Sequence, residues 1–197
     1  FGANIGYEGQ TLLVDGILVS GNYFDVLGLR PVQGRLIQPD DTGTVGGVQV
    51  AVLSEDYWVS RFKADTNVVG KTIVINGQPL SVVGVAPHGF DGTTRGTRAK
   101  VFVPITLRGT MELPFNGFAE RTNYWAYLFA RLKPGVSMET ALTGLNGPYA
   151  RILQEVELPL QTGMKDTDKP KFTSKRLTMA DGRRGQSYIF TQAGTPL

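Results

Sequence analysis

The stretch VGKTIVINGQPLSVVGVAP, Val69–Pro87, reads as a β-hairpin. Two apolar runs flank Asn76-Gly77, the pair that best tolerates the positive φ angles of a tight type I′ turn. With Asn76 and Gly77 at the tip, Ile75 faces Gln78 and Ile73 faces Leu80. One face then carries Ile73, Ile75, Leu80 and Val82, and the other Thr72, Val74, Ser81 and Val83. A slip of one residue would exchange the two faces, so the turn fixes the register. Pro79 has no N–H to give to a ladder, so its nitrogen is expected at an edge or a non-bonded position. The hairpin is scaffold and carries no chemistry of its own.

The rest of the composition fits a folded, turn-rich body. The 197 residues suit one large domain or two small subdomains. At 41% hydrophobic and 19% charged, the chain can bury a core and is not of disordered composition. Its 25 glycines are nearly twice the usual share of roughly 7%, which favours turns and β structure. A net charge of +3 with no basic stripe gives no nucleic-acid surface. The absence of cysteine excludes disulfide frameworks, thiolate metal sites and cysteine nucleophiles. No apolar run approaches the roughly 18 residues of a membrane span, and no leader pattern opens the sequence. The start at Phe1 and the stop at Pro196-Leu197 are what a piece excised from a longer polypeptide would show.

Working outward, Tyr7–Ser20 reads as a second hairpin that turns near Glu8-Gly9-Gln10, with Asp15-Gly16 placed to bend or bulge its second run. Ser20 is expected to cap a short helix, Asn22–Leu27, that buries Tyr23, Phe24 and Leu27 and ends at Gly28. Pro39–Gly47 (PDDTGTVGG) has the composition of a solvated linker. A strand over Val48–Leu53 leads to Ser54, which caps a helix from Glu55 to about Lys63. Glu55 and Asp56 sit at its positive end, Arg61 and Lys63 at its negative end, and Trp58 and Phe62 share a face. His88–Arg98 is a glycine-rich loop, Lys100–Ile105 a short strand and Gly109–Thr122 irregular. Asn123–Leu132 (NYWAYLFARL) is apolar on both faces, the pattern of a central strand. Met138, Leu142, Leu145, Tyr149, Ile152 and Val156 form the stripe of a helix over Ser137–Val156, kinked near Gly144 and Gly147-Pro148. Pro159–Pro170 reads as a polar loop, Phe172–Met179 as a last strand and the remainder as a polar tail.

Each candidate for chemistry has a plainer reading beside it. His88, the single histidine, lacks histidine or cysteine partners for a metal or a catalytic pair and reads as a loop residue. Gly70-Lys71-Thr72 resembles the end of a phosphate-binding loop, but Asp65 occupies the required glycine position and a strand follows instead of a helix. Ser60 and Lys63 have the S-x-x-K spacing of Ser/Lys acylases with no supporting motif. Asp40-Asp41 lacks the spaced oxygen ligands of a calcium loop. Trp58, Trp125, Tyr124 and Tyr127 could stack on a sugar, yet most fall on strongly patterned elements that favour core packing. Arg95, Arg98, Arg121, Arg183 and Arg184 lie in or near loops, available to a partner or simply solvated. No catalytic residue, cofactor cradle or metal site emerges. Residue chemistry alone gives an α+β binding or coupling module.

Three blocks taken together are more specific. They are Val19-Ser20-Gly21-Asn22-Tyr23-Phe24-Asp25-Val26-Leu27-Gly28-Leu29-Arg30-Pro31 with Gly34-Arg35; Val50-Ala51-Val52-Leu53-Ser54 with Trp58 and Arg61-Phe62; and Val69-Gly70-Lys71-Thr72 through Val82-Val83-Gly84-Val85-Ala86-Pro87. In this order and spacing the chain resembles the periplasmic core domain of MacB-like ABC transporter permeases, related to FtsX-like permeases. Val101–Ile105 and Arg131–Ser137 continue the match. Gly182-Arg183-Arg184-Gly185 and Pro196-Leu197 resemble the segment before a membrane helix in the large acidobacterial-type permeases.

That resemblance implies an α+β fold in which a porter-like βαβ subdomain holds an inserted β-rich, sabre-like subdomain. It places the first porter-like part at residues 1–45, the insert at 46–118, and the second porter-like part with the pre-membrane tail at 119–197. The family's first strand and helix after the membrane are absent from this sequence. It further implies a domain outside the inner membrane, periplasmic, between two spanning helices of the same polypeptide. The implied role is mechanotransmission: coupling ATP-driven helix motion to export or to a partner, without catalysis. ATP and Mg²⁺ are expected on a separate cytoplasmic ATPase domain. A periplasmic adaptor and a dimeric intact permease are implied partners, and nucleic acid is not. A secreted or periplasmic carbohydrate- or peptide-binding module is the alternative, and a hydrolase a more distant one.

Overall fold

The computed structural model describes residues 1–115, 117–120 and 124–186. The chain divides into two compact units: Phe1–Phe129 joined by the segment from Arg184, and Ala130–Arg183. Seven strands lie among the described residues of the first unit: β1 (Gly2–Tyr7), β2 (Gln10–Val19), β3 (Gln33–Gly34), β4 (Val50–Leu53), β5 (Thr72–Ile75), β6 (Gln78–Val85) and β7 (Val101–Pro104). With them come three short helices, α1 (Tyr23–Leu27), α2 (Glu55–Phe62) and α3 (Arg108–Met111). The strand order is β3-β6-β4-β7-β2-β1-β5, and β5 also pairs with β6. Six strands therefore close into a ring, with β3 added against β6. Closure leaves no long unpaired edge along the ring. The sheet interleaves strands from both sides of residue 45.

The Asn76-Gly77 hairpin sets the ring's register. Ile75 pairs with Gln78 and Ile73 with Leu80, as the two-residue turn dictates. Asn76 and Gly77 have φ of 49° and 81°. Ile73, Ile75, Leu80 and Val82 are fully buried, and they meet Ala3, Ile5, Ala51, Leu53, Val101 and Val103 in the ring interior. The opposite face, with exposed Thr72 and Val74, looks outward. Ser54 accepts a hydrogen bond from the Tyr57 N–H and starts α2. That helix sets Tyr57, Trp58 and Phe62 against the interior.

The first hairpin, β1–β2, turns at Glu8-Gly9, both at positive φ. Asp15-Gly16 is the point where β2 changes partner: Asp15 pairs with Gly2 of β1, Gly16 with Val101 of β7. β4 and β7 are buried on both faces. One face lines the ring. The other holds Val52 and Phe102 in a second core with Val19, Phe24, Leu36, Ile37, Ala86 and Ala99. Phe90 stacks on Phe102 at 5.5 Å, and Phe24 meets it edge-on at 5.4 Å.

Several local expectations are corrected. Ser20 does not cap α1: its Oγ donates to Asn22 Oδ1, and Asn22 takes the cap position with no side-chain bond to the helix N–H groups. Of the three residues expected to be buried there, only Phe24 is, and Gly28 ends the helix at φ 72° as expected. The expected linker is a folded turn, because Pro39–Thr42 forms a 3-10 helix with Asp41 buried beneath it. Asn123–Leu132 is not a central strand. Asn123 lies outside the described residues, and from Tyr124 the segment has no regular secondary structure and is largely open, with Leu128 94% exposed. An all-apolar strand needs a neighbour on each side, and the ladder contains none for it. Nor is Phe172–Met179 a strand.

In the second unit the amphipathic stripe forms α4 (Met138–Ile152), which Ser137 starts by accepting from the Thr140 N–H. The helix runs through Pro148 and the irregularity comes later, as one π turn at Leu153–Glu157. Short helices α5 (Leu158–Leu160) and α6 (Lys169–Thr173) follow. Phe172 thus lies in α6, where the preceding Pro170 suits a first helical turn. Asn146 ties the unit together: its Oδ1 accepts from the Leu177 N–H at 2.8 Å.

Candidate functional site

Several charged groups of the first unit form ion pairs. Lys71, of the rejected phosphate-loop motif, follows the turn into β5. Its Nζ donates to Asp65 Oδ2 at 2.6 Å and to the Tyr7 hydroxyl at 3.1 Å. Asp65 is the residue that breaks the glycine pattern, and it is the lysine's partner. Its hydrogen bond, with that of Tyr7, raises the Lys71 pKa. The bonds from Lys71 and the Asn67 N–H hold Asp65 below the usual carboxylate range. A lysine so held stays charged and cannot act as a base.

The pairing of Asp41 with Arg35 is what sequence reasoning missed. The Arg35 guanidinium donates to it in bidentate fashion, at 2.6 and 2.9 Å, and the Gln38 N–H adds a third bond at 2.9 Å. Burial pushes the Asp41 carboxyl up, but the Arg35 and Gln38 bonds and the guanidinium charge outweigh it and hold the pKa low. The pair pins the turn after β3 against the strands. A short-range signal existed in the arginine six residues upstream, but nothing in local composition marks it as the partner.

The other candidates resolve in the same way. His88 stands 2.5 Å from Glu55 Oε2 and its side chain is 92% exposed, a loop histidine at the start of α2. Ser60 donates to the Asp56 carbonyl at 2.7 Å, and Lys63 is the left-handed residue that ends α2, so the S-x-x-K spacing brings no base to the hydroxyl. Lys100 pairs with Asp56 and lowers its pKa through that hydrogen bond. Arg183 pairs with Asp181 at 2.6 Å, Arg98 lies 4.0 Å from Asp91, and Arg121 is outside the described residues. Trp58 is packed on the ring core, its Nε1 donating to the Asp65 carbonyl. Trp125 sits in a small aromatic cluster with Phe115 and Phe118. Arg108 lies over both Phe115 and Trp125, at 4.6 and 4.9 Å from the ring centres. Tyr124 and Tyr127 are exposed.

A shallow depression of ≈ 290 Å³ is lined by Gly34, Arg35, Val69, Gly70, Ser81, Val82 and Val83. None of these is aromatic, and its charged group is already committed to Asp41. Among the described residues no cluster of three or more His, Asp or Glu could hold a metal ion, and no helix is long and apolar enough to cross a membrane. The arrangement sets no nucleophile beside a base among the described residues.

Fold and site together define a mixed α and β module organised around a closed strand ring and self-satisfied ion pairs. Residues 2–146 match the family model described as the MacB-like periplasmic core domain, and the chain belongs to that family. It is 36% identical over 105 residues to the macrolide export ATP-binding/permease protein MacB of Aggregatibacter actinomycetemcomitans, covering 46% of this chain and 16% of that protein. The protein of the same name from Hahella chejuensis is 27% identical over 127 residues, 64% of this chain and 18% of that one. The chain thus spans less than a fifth of the length of these relatives. The crystal structure of the periplasmic region of MacB from Actinobacillus actinomycetemcomitans aligns with a TM-score of 0.55 at 18% identity. That alignment covers 84% of this chain and 74% of the other.

Proposed function

We propose that this chain is the extracytoplasmic domain of an ABC transporter permease, held between two spanning helices of a longer polypeptide in the inner membrane. It transmits ATP-driven helix motion outward, to export or to a partner protein, and performs no catalysis itself. ATP and Mg²⁺ act on a cytoplasmic ATPase domain. A periplasmic adaptor and a second copy of the permease are its candidate partners. In this reading the coupling body is a porter-like subdomain, residues 1–45 and 119–197, that carries a sabre-like insert at 46–118.

The observation that carries this reading is the family match over residues 2–146. The physical argument is that mechanical coupling needs bodies that move without deforming. A ring with a close-packed, buried apolar interior, tied at its surface by Lys71–Asp65 and Arg35–Asp41, supports that reading.

The test is the intact open reading frame. A spanning helix ahead of Phe1 and another after Leu197, with an ATPase domain on the same or an adjacent product, is the expected result. A secretion signal upstream with a stop codon after Leu197 overturns it and puts the carbohydrate- or peptide-binding module first.

A further inference from the structure

The tail of the described chain does not simply leave the first unit; it is fastened to it. Gln186 forms a parallel bridge with Thr94. Its N–H donates to the Thr93 carbonyl at 2.8 Å, and its carbonyl accepts from the Arg95 N–H at 2.8 Å. Its side-chain Nε2 donates to Thr94 Oγ1 at 2.9 Å. Gly185 makes this approach possible. Its φ is 72°, and a Cβ there would stand 2.5 Å from the Thr93 carbonyl oxygen.

The receiving loop is itself stitched to the second core. The Tyr23 hydroxyl, on α1, donates to Thr93 Oγ1 at 3.1 Å. Gly92 has φ of 112° and lies so close to Ile17 of β2 that a Cβ would meet its Cδ1 at 2.3 Å. Phe90 stacks on Phe102 of β7, and the Ala99 N–H donates to the Asp91 carbonyl at 2.9 Å. A pull on Gln186 is therefore received by a loop braced on α1, β2 and β7.

We propose that Gly185–Gln186 is a fixed mechanical tie, which delivers displacement of the polypeptide that follows to loop 93–95 and, through Tyr23 and Ile17, to the second core. The proposal rests on the permease reading for the source of the displacement. It assigns Gly185, Gln186, Thr94 and Tyr23 a positioning role in transmission.

The test uses the intact polypeptide in lipid nanodiscs and hydrogen exchange read by mass spectrometry, with ATP plus orthovanadate as the probe. In the parent, the Arg95 amide is slow to exchange, and nucleotide changes exchange across residues 17–27 and 90–95. Gly185→Val detaches the tie. It speeds exchange at Arg95 by about tenfold or more and abolishes the nucleotide response in those peptides, while peptides over β5 and β6 exchange as in the parent. Gln186→Pro, which removes the N–H given to Thr93, gives the same result and guards against misfolding of the first variant. Thr94→Cys with Gln186→Cys, oxidised, keeps the nucleotide response, since bridged residues lie within the roughly 4.4–6.8 Å that a disulfide spans. Fast exchange at Arg95 in the parent overturns the tie whatever the protein does. A nucleotide response that survives both detaching variants, or is lost when the tie is made covalent, overturns its transmitting role. A parent that hydrolyses ATP with no response anywhere in residues 1–186 defeats the permease-coupling reading, and the transmitting role with it.

Discussion

Replacing Asn76 by alanine should destabilise the first unit far more than a turn residue usually does. Asn76 holds positive φ at the hairpin tip and also clasps the ring. Its Oδ1 accepts from the Asn4 N–H at 2.8 Å, and its Nδ2 donates to the Gly2 carbonyl at 3.0 Å and the Met111 carbonyl at 2.8 Å. The bonds to Asn4 and Gly2 are exposed and contribute about 0.5 kcal/mol each; the half-buried bond to Met111 contributes about 1. The left-handed backbone adds about 1 kcal/mol against alanine. Asn76→Ala should thus cost about 3 kcal/mol. Asn76→Gly keeps the backbone freedom and should cost about 2. Asn76→Asp keeps the acceptor and loses both donated bonds, costing about 1.5. Both tryptophans, Trp58 and Trp125, lie in the first unit, so urea unfolding followed by tryptophan fluorescence reports this unit alone. At roughly 2–4 °C per kcal/mol, the alanine variant should melt about 6–12 °C lower. If the alanine and glycine variants both fall within about 0.5 kcal/mol of the parent, Asn76 is not a clasp and the account of ring closure fails.

Other perturbations follow from the same contacts. Leu80→Ala empties part of the ring interior and should cost about 2–5 kcal/mol in the same urea assay. Asp41→Asn should cost about 1–2 kcal/mol near neutral pH, because the buried carboxylate loses its charge-assisted pair with a half-exposed arginine. The Asp41 pKa is depressed in the folded state, so its stabilisation is complete above the unfolded value of 3.8 and is lost as pH falls through the lower folded value. The stability difference between parent and Asp41→Asn should therefore be constant from pH 7 to 5 and shrink below about pH 4; a constant difference down to pH 2 refutes the assignment. Gly84→Ala would place a Cβ 2.1 Å from the Arg35 carbonyl oxygen. It should part β3 from β6, seen as faster amide exchange at Val32 and Arg35. Ser60→Ala and His88→Ala should each change stability by less than about 0.5 kcal/mol, as expected for exposed side chains with no catalytic partner.

The legible parts of the fold were those whose signal is local. A two-residue Asn-Gly loop determines its own register, so the buried set Ile73, Ile75, Leu80 and Val82 followed from spacing alone. Ser54 and the charges around α2 act within one helix. Ring closure was not legible, because β1 meets β5 through Ile5 and Ile75, seventy residues apart, and no local pattern encodes that pairing. Residues 124–132 failed for a related reason. Their composition satisfies a central strand, but a strand is made by its neighbours, and periodicity cannot say whether they are present. Phe172–Met179 was read for β propensity when Pro170 already marked a helix start. Asp41 looked like linker because glycine and threonine surround it, while the feature that matters is one bidentate arginine. A sequence motif can be set against its own geometry once the partners of its residues are known. Lys71 is the clearest case, since the residue that spoiled the motif proved to be its partner.

The central claim is that this domain lies outside the cytoplasm on a membrane-anchored permease. It is tested most directly by placing a cysteine at Leu128, 94% exposed in a chain that has none, within the intact polypeptide. Cells with a permeabilised outer membrane are then treated with a membrane-impermeant maleimide. The account predicts that Leu128→Cys is labelled without lysis and that the labelled polypeptide sediments with the membranes. Labelling only after the inner membrane is broken, or recovery of the labelled chain in the soluble fraction, would contradict it.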